Sequence, residues 1–344
     1  MKKQFLVDQL SFSRLAMMEL TIHVFLQLGK RTIKAFSTLR QLDISLLPNF
    51  DLKMMTDCVS TINPTMEPSF SSLKPKKQVK NKIENRIRVE CPNGTVPILK
   101  NTKEYVTNAQ YWAERHFNPL TDESHGKHIA GVREQGQGPY HGVAAWMTVH
   151  DLNISRDQAS YANIYAGSVN PSLFGDGQTW RYGFWKGADG AGCYNTICPG
   201  FIQVSKTDLL SGPIPHPRKG DRAVFPSIVQ EEVSGHWWTA HVRNFKKDIA
   251  IGYWPKELFD VIGHSVNMVG VTGAVQASPS GISPPMGNGH LPSKNEDASA
   301  RVRHLVIVNS KFKGKELDIK TQYDTAHFLY VEFTNLTLNQ TRDI

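Results

Sequence analysis

From Tyr140 onward, apolar residues come in short runs divided by turn residues, with little of the three-to-four spacing of helices. Gly142 to Val149, Ala159 to Ala166, Thr179 to Trp185, Gly200 to Val204, Val224 to Gln230, His236 to Val242 and Ile249 to Tyr253 are rich in aromatic and β-branched residues, the composition of strands. Val266 to Gln276, Val302 to Val308 and Phe328 to Phe333 extend the series. In His236 to Val242 strict alternation puts Trp238, Ala240 and Val242 on one face and Trp237, Thr239 and His241 on the other. Both faces carry a tryptophan, so one of them meets a groove or a second sheet. Pro255 opens a short helical turn with Leu258, Phe259 and Ile262 as its apolar stripe. Many short strands with so little helix predict a mainly β protein whose residues 140–344 form an antiparallel β-sandwich.

Upstream the pattern changes. Thr102 is placed to cap a helix along which Tyr105, Ala109, Trp112 and His116 recur. Residues 51–124 therefore read as a small α+β domain. Thr121 to Gly138 is polar, basic and glycine-containing, which sets a linker at residues 125–139. Residues 1–50 form a poorly defined leader. Leu15 to Leu28 is apolar but interrupted by Glu19, His23 and Gln27, and no small-residue cleavage site precedes Lys30 and Arg31. The stretch is neither a clean signal peptide nor long enough to span a bilayer.

Composition narrows the function classes. A chain of 344 residues with 40% hydrophobic and 20% charged residues can bury a large core. Its net charge of +8 is concentrated around Lys74, Lys76, Lys77, Lys80, Lys82, Arg86 and Arg88. No aromatic residue is interleaved there to stack on bases, so the run reads as a solvated connection and not as a nucleic-acid surface. Gly187 to Gly192 is glycine-rich but opens no helix, and the histidines show no His-x-x-x-His spacing. Neither a cofactor nor a metal is implied. Cys193 and Cys198 enclose a short loop where a bridge would contribute roughly 2 kcal/mol, and reduced thiols are the alternative. Asn93, Asn153, Asn335 and Asn339 head glycosylation sequons that are usable only after secretion.

The cysteine turn Gly192-Cys193-Tyr194-Asn195-Thr196-Ile197-Cys198-Pro199-Gly200-Phe201 is the most specific motif. It follows Asn170-Pro171-Ser172-Leu173-Phe174-Gly175-Asp176 and precedes Gly252-Tyr253-Trp254-Pro255-Lys256-Glu257-Leu258-Phe259 and Met286-Gly287-Asn288-Gly289-His290. Asp57-Cys58-Val59 and Cys91-Pro92-Asn93-Gly94-Thr95-Val96-Pro97-Ile98 stand upstream. In order and spacing the chain resembles the neprosin family of plant glutamic endopeptidases, which cleave at proline. That resemblance implies a glutamic-peptidase-like sandwich, an activation domain over its cleft at residues 51–124, a partner cysteine pair Cys58 and Cys91, and an extracellular or cell-wall location.

The resemblance breaks at the chemistry. Family peptidases carry one glutamate in a Glu-Ala-Gly-Trp-like strand before the Leu-Tyr-Gly-Asp-like motif and another in a Gly-Gly-Glu-Val-like strand. The second position falls in Thr272-Gly273-Ala274-Val275, so Ala274 stands at the carboxylate. For the first, either Tyr165 replaces the glutamate, or the glutamate-bearing strand is deleted between Ser168 and Val169. A pair of carboxylates around one water supplies the base and the acid of hydrolysis. Alanine does neither, and a phenol of pKa about 10 is a poor base in acid. No catalytic residue is therefore assigned. Trp180, Trp237, Trp238, Tyr253 and Trp254 are the binding candidates, as flat walls for Pro-rich peptides. The preferred reading is a degenerate homologue that holds Pro-rich peptides or wall glycoproteins. An active prolyl endopeptidase with relocated acids and a carbohydrate-binding sandwich are the alternatives, and oligomeric state is left open.

Overall fold

The structure is a computed structural model that describes residues 19–26, 56–60, 67–74, 89–109 apart from 104 and 108, 127–166 apart from 151, 153, 156 and 157, 180–186, 192–214, 223–241, 248–290 apart from 260 and 261, and 298–317. In chain order its strands begin with β1 (Glu19–Leu26), β2 (Thr56–Ser60), β3 (Thr95–Leu99), β4 (Lys127–Tyr140), β5 (Gly142–Thr148) and β6 (Ala159–Ala166). They continue with β7 (Trp180–Lys186), β8 (Gly192–Tyr194), β9 (Ile202–Gln203), β10 (Gly212–Pro213), β11 (Ala223–Val224) and β12 (Pro226–Gln230). The last are β13 (Trp237–His241), β14 (Ile249–Trp254), β15 (Val266–Gln276), β16 (Val302–Val308) and β17 (Gly314–Glu316).

Among the described residues, a seven-stranded sheet runs β10-β7-β1-β6-β15-β4 with β8 beside β7, and an eight-stranded sheet runs β17-β16-β5-β12-β13-β14-β9 with β11 beside β5. Every pairing is antiparallel. The two sheets pack face to face. Ile164, Ala166, Trp185, Val269 and Val271 of the first meet Val143, Ala145, Met147, Ile228, Trp237, Ile251 and Trp254 of the second in one buried cluster. Burying so many large side chains, each worth about 1.5–3 kcal/mol, is what holds the layers together.

Both outer faces are also covered. Phe70 and Leu73, around a 3₁₀ turn at Ser71–Leu73, pack with Trp146, Trp238, Tyr253 and Val306 on the eight-stranded sheet. Lys74 reaches Asp248 at 3.4 Å beside them. Val89, Leu99, Tyr105 and Ala109 pack with Tyr161, Tyr182, Phe184, Tyr194 and Ala274 on the seven-stranded sheet. Leu99 ends the β2–β3 pair, and Cys58 of β2 is tied to Cys91, just before β3, by a disulfide with a sequence separation of 33, which in the chain-entropy account contributes about 4 kcal/mol. Pro97 is tolerated in β3 because a two-stranded pair has free edges. Cys193–Cys198 forms the other bridge.

Three segments differ from the reading of the sequence. The linker expected at residues 125–139 is, from Lys127 on, strand β4, paired along β15 from Gln276↔Lys127 to Val266↔Tyr140. Edge pairing is made by the backbone and needs no apolar alternation, so a polar, glycine-bearing strand looks like a loop. Within residues 1–50, expected as an undefined leader, Glu19–Leu26 is a central strand of the sheet. The helical turn at Pro255 is a single 3₁₀ turn, Lys256–Leu258, with Phe259 and Ile262 buried behind it. At Thr102 the expected cap is made, since its hydroxyl accepts from the Tyr105 amide at 3.2 Å. Trp112, His116 and Phe328 to Phe333 lie outside the described residues.

Candidate functional site

Alternation along β6 divides its side chains. Ala162, Ile164 and Ala166 turn into the sandwich, while Tyr161, Asn163 and Tyr165 line its outer face. Register extends that outer row onto β15, where Tyr161 pairs with Ala274, Asn163 with Thr272 and Tyr165 with Gly270. Tyr182 and Phe184 of β7 join them, and Tyr194 of β8 packs against both rings, 5.5 and 4.7 Å away between centroids. The result is an aromatic floor with a polar strip, Asn163 and Thr272, across its middle.

The strip is buried, and its two side chains are bonded to each other. Thr272 donates its hydroxyl to Asn163 Oδ1, while Asn163 Nδ2 is buried with no partner. A buried amide nitrogen with nothing to donate to costs about 1–3 kcal/mol. It is the kind of group that a ligand atom or a water satisfies. Gly270 lets the Tyr165 ring lie down, because a Cβ there would come 2.5 Å from the Tyr165 hydroxyl. Ala274 is 0% exposed, its methyl enclosed by the apolar cluster. The described side chains of this floor include no carboxylate.

The floor is roofed by the upstream region. Asn195, in the cysteine turn at φ 50°, accepts from the Gly183 amide through Oδ1 at 2.7 Å and donates its own amide to the Gly183 carbonyl at 2.7 Å. Its remaining donor, Nδ2, goes to the Tyr105 hydroxyl. Burial pushes the Tyr105 phenol far up, with the bond from Asn195 only partly opposing it, so that group stays neutral at any working pH. Tyr182 is likewise pushed well up, by burial first and by Tyr194 and Tyr161 after it. Asn101 Nδ2 donates to the Thr196 carbonyl at 3.3 Å, and the Val89 amide to the Thr207 carbonyl at 3.3 Å. The cysteine turn is thus the seat on which the upstream region rests.

A Neprosin family model matches residues 144–337, more than half of the chain. The chain belongs to the neprosin family. The disulfide-closed turn and most of the sandwich lie within the matched residues, and the covering region precedes them. Ala274 stands opposite Tyr161 and Tyr165 opposite Gly270, so Ala274 and Tyr165 lie on adjoining strands of the floor but four register positions apart.

The five aromatic binding candidates do not gather there. Trp237 and Trp254 are 0% exposed between the sheets, with the Trp237 indole donating to the Ile262 carbonyl at 2.8 Å. Trp238 and Tyr253 lie on the far side of the eight-stranded sheet under Phe70 and Leu73, and His236 stacks on Tyr253 at 5.0 Å. Trp180 enters β7 opposite Pro213. What marks the floor in the sequence is the alternation of Ala159 to Ala166, where tyrosine, asparagine and tyrosine occupy every second position. Asn93 is exposed in a turn, whereas Asn153, Asn335 and Asn339 lie outside the described residues. Among those residues no three His, Cys, Asp or Glu side chains gather as ion ligands, and no helix is long and apolar enough to cross a membrane.

Proposed function

We propose that this protein is a neprosin homologue that has lost hydrolysis and keeps its floor as a holding site for an extended peptide, of the Pro-rich or wall-glycoprotein kind, outside the cell. The single observation behind this reading is Ala274: at the position that the resemblance gives to a catalytic glutamate, a methyl group lies buried opposite Tyr161, in one apolar cluster with Tyr105 and Ala109. Without two proton-handling groups worth roughly 10²–10⁴ each in rate, bond cleavage falls toward background. Flat rings and one unsatisfied amide, Asn163 Nδ2, remain as recognition groups. Two disulfides suit an oxidising compartment. With the upstream region seated, the floor is closed, so binding requires its withdrawal.

The test is a fluorescence titration with a Pro-rich peptide at acidic pH, before and after proteolytic cutting between residues 121 and 126, with the peptide mass followed over a day. Saturable binding only after cutting, with the peptide intact, is the expected result. Efficient cleavage after proline refutes the reading.

A further inference from the structure

Strands β6 and β7 run in the same direction and stand two places apart, with β1 running opposite to both between them. A meander alternates direction at every step, so a chain passing from β6 to β7 would ordinarily lay its own strand in the middle slot. Here that slot is filled from far upstream. Register is continuous on both sides, from Leu20↔Ala166 to Leu26↔Ser160 against β6, and from Glu19↔Lys186 to Val24↔Arg181 against β7. Empty, it would leave two facing rows of unpaired amides and carbonyls. Their separation, twice the usual spacing or about 9.6 Å, admits one extended chain.

We propose that the gap between β6 and β7 is a strand-acceptor site, and that its resident ligand is the chain's own Glu19–Leu26, bound in cis and retained in the folded protein. A central strand donates and accepts on both sides, so the site takes an extended peptide free of proline and rich in β-branched and apolar residues. Glu19-Leu20-Thr21-Ile22-His23-Val24-Phe25-Leu26 is such a peptide. The site rejects the Pro-rich ligands proposed for the outer floor, and the two proposals stand or fall separately. One consequence concerns the deleted strand. Of the two readings of the first glutamate position, a slot beside β6 that is filled from upstream favours the strand deleted after Ser168 over a replacement at Tyr165, and on that reading the upstream segment completes the sheet without the residues that the deleted strand carried.

The test uses the full chain. Both native bridges consume all its cysteines, so two added thiols report without interference. Val24 pairs directly with Ala162 and lies four residues out of register with Ala166. Directly paired Cα atoms lie about 4.5–5.5 Å apart, within disulfide reach, whereas a four-residue offset exceeds 7 Å. Mild oxidation of Val24→Cys with Ala162→Cys is expected to give an intrachain bridge by peptide mapping, and Val24→Cys with Ala166→Cys none. No bridge in the first pair, equal bridging in both, or a bridge between two copies overturns the proposal. If the variants fail to fold, hydrogen exchange on the unaltered chain decides. The amides of residues 19–26 are expected to exchange at least about a hundredfold more slowly than in a free peptide. Exchange at the free-peptide rate overturns it.

Discussion

Asn195 Nδ2 donates to the Tyr105 hydroxyl, so one side chain of the cysteine turn grips both β7 and the region that roofs it. Two of the three Asn195 bonds stay within the sandwich; only the third crosses to the upstream region. Replacing Tyr105 by phenylalanine keeps the ring and strands a buried amide donor. The Tyr105→Phe variant is expected to lose about 1–3 kcal/mol, seen as a melting midpoint lowered by several degrees. In limited proteolysis it should also release the upstream region sooner than the parent.

A glutamate placed at 274 is expected to destabilise the fold without yielding hydrolysis. Glutamate at 274 would place a carboxyl in a closed apolar cluster, where its charged form costs about 3 kcal/mol or more. Burial raises such a carboxyl, so the penalty is full at neutral pH and fades as pH falls and the group takes up its proton. Urea unfolding of Ala274→Glu at neutral and acidic pH should show that convergence with the parent, and peptide hydrolysis should stay at background at both.

Gly200 follows the cysteine turn with its backbone pressed on an indole. A Cβ at that position would come 2.6 Å from Trp185 Cζ2. Since Trp185 is buried between the sheets and cannot swing out, Gly200→Ala is expected to cost about 1–3 kcal/mol as overpacking. Chemical denaturation measures it, with Gly212→Ala, which meets nothing within 4 Å, as the mild comparison.

The hairpin between β12 and β13 supplies a pH-dependent contribution. Burial pushes the Glu231 carboxyl up, but amide bonds from Ser234 and Val233, the Ser234 hydroxyl and His236 together outweigh it and leave the group below its ordinary value of 4.5. A lowered carboxylate stabilises the fold above that ordinary value, and the contribution disappears as pH falls through the folded one. Stability of the parent and of Glu231→Gln should therefore differ by about 1 kcal/mol at neutral pH and converge in acid.

Much of the sandwich was legible because its strands are short apolar runs, rich in aromatic and β-branched residues, between turns: Gly142 to Val149 and Val266 to Gln276 are β5 and β15 almost to the residue. The family showed in motifs that fix turns, above all the one around Asn195. Two things hid the rest. In β4 and β1 the ordering force is backbone pairing with distant partners, which leaves no local periodic trace. In β13 both faces are covered, Trp237 by the opposite sheet and Trp238 by Phe70 and Leu73. With an apolar residue required on either side, no contrast between inside and outside was left to separate a core tryptophan from a binding one. The floor itself was hidden for the opposite reason: Tyr161, Tyr182 and Phe184 are covered by Val89, Leu99, Tyr105 and Ala109 from another region, which alternation alone does not reveal.

The upstream region holds the sandwich from both sides, Phe70 and Leu73 on one outer face and Leu99 and Tyr105 on the other, with a disulfide at Cys58–Cys91 joining the two arms. A single nick downstream of residue 109 would therefore remove one tether while both arms still grip, so the fragments would co-elute until a ligand competing for the floor drove the two arms off together.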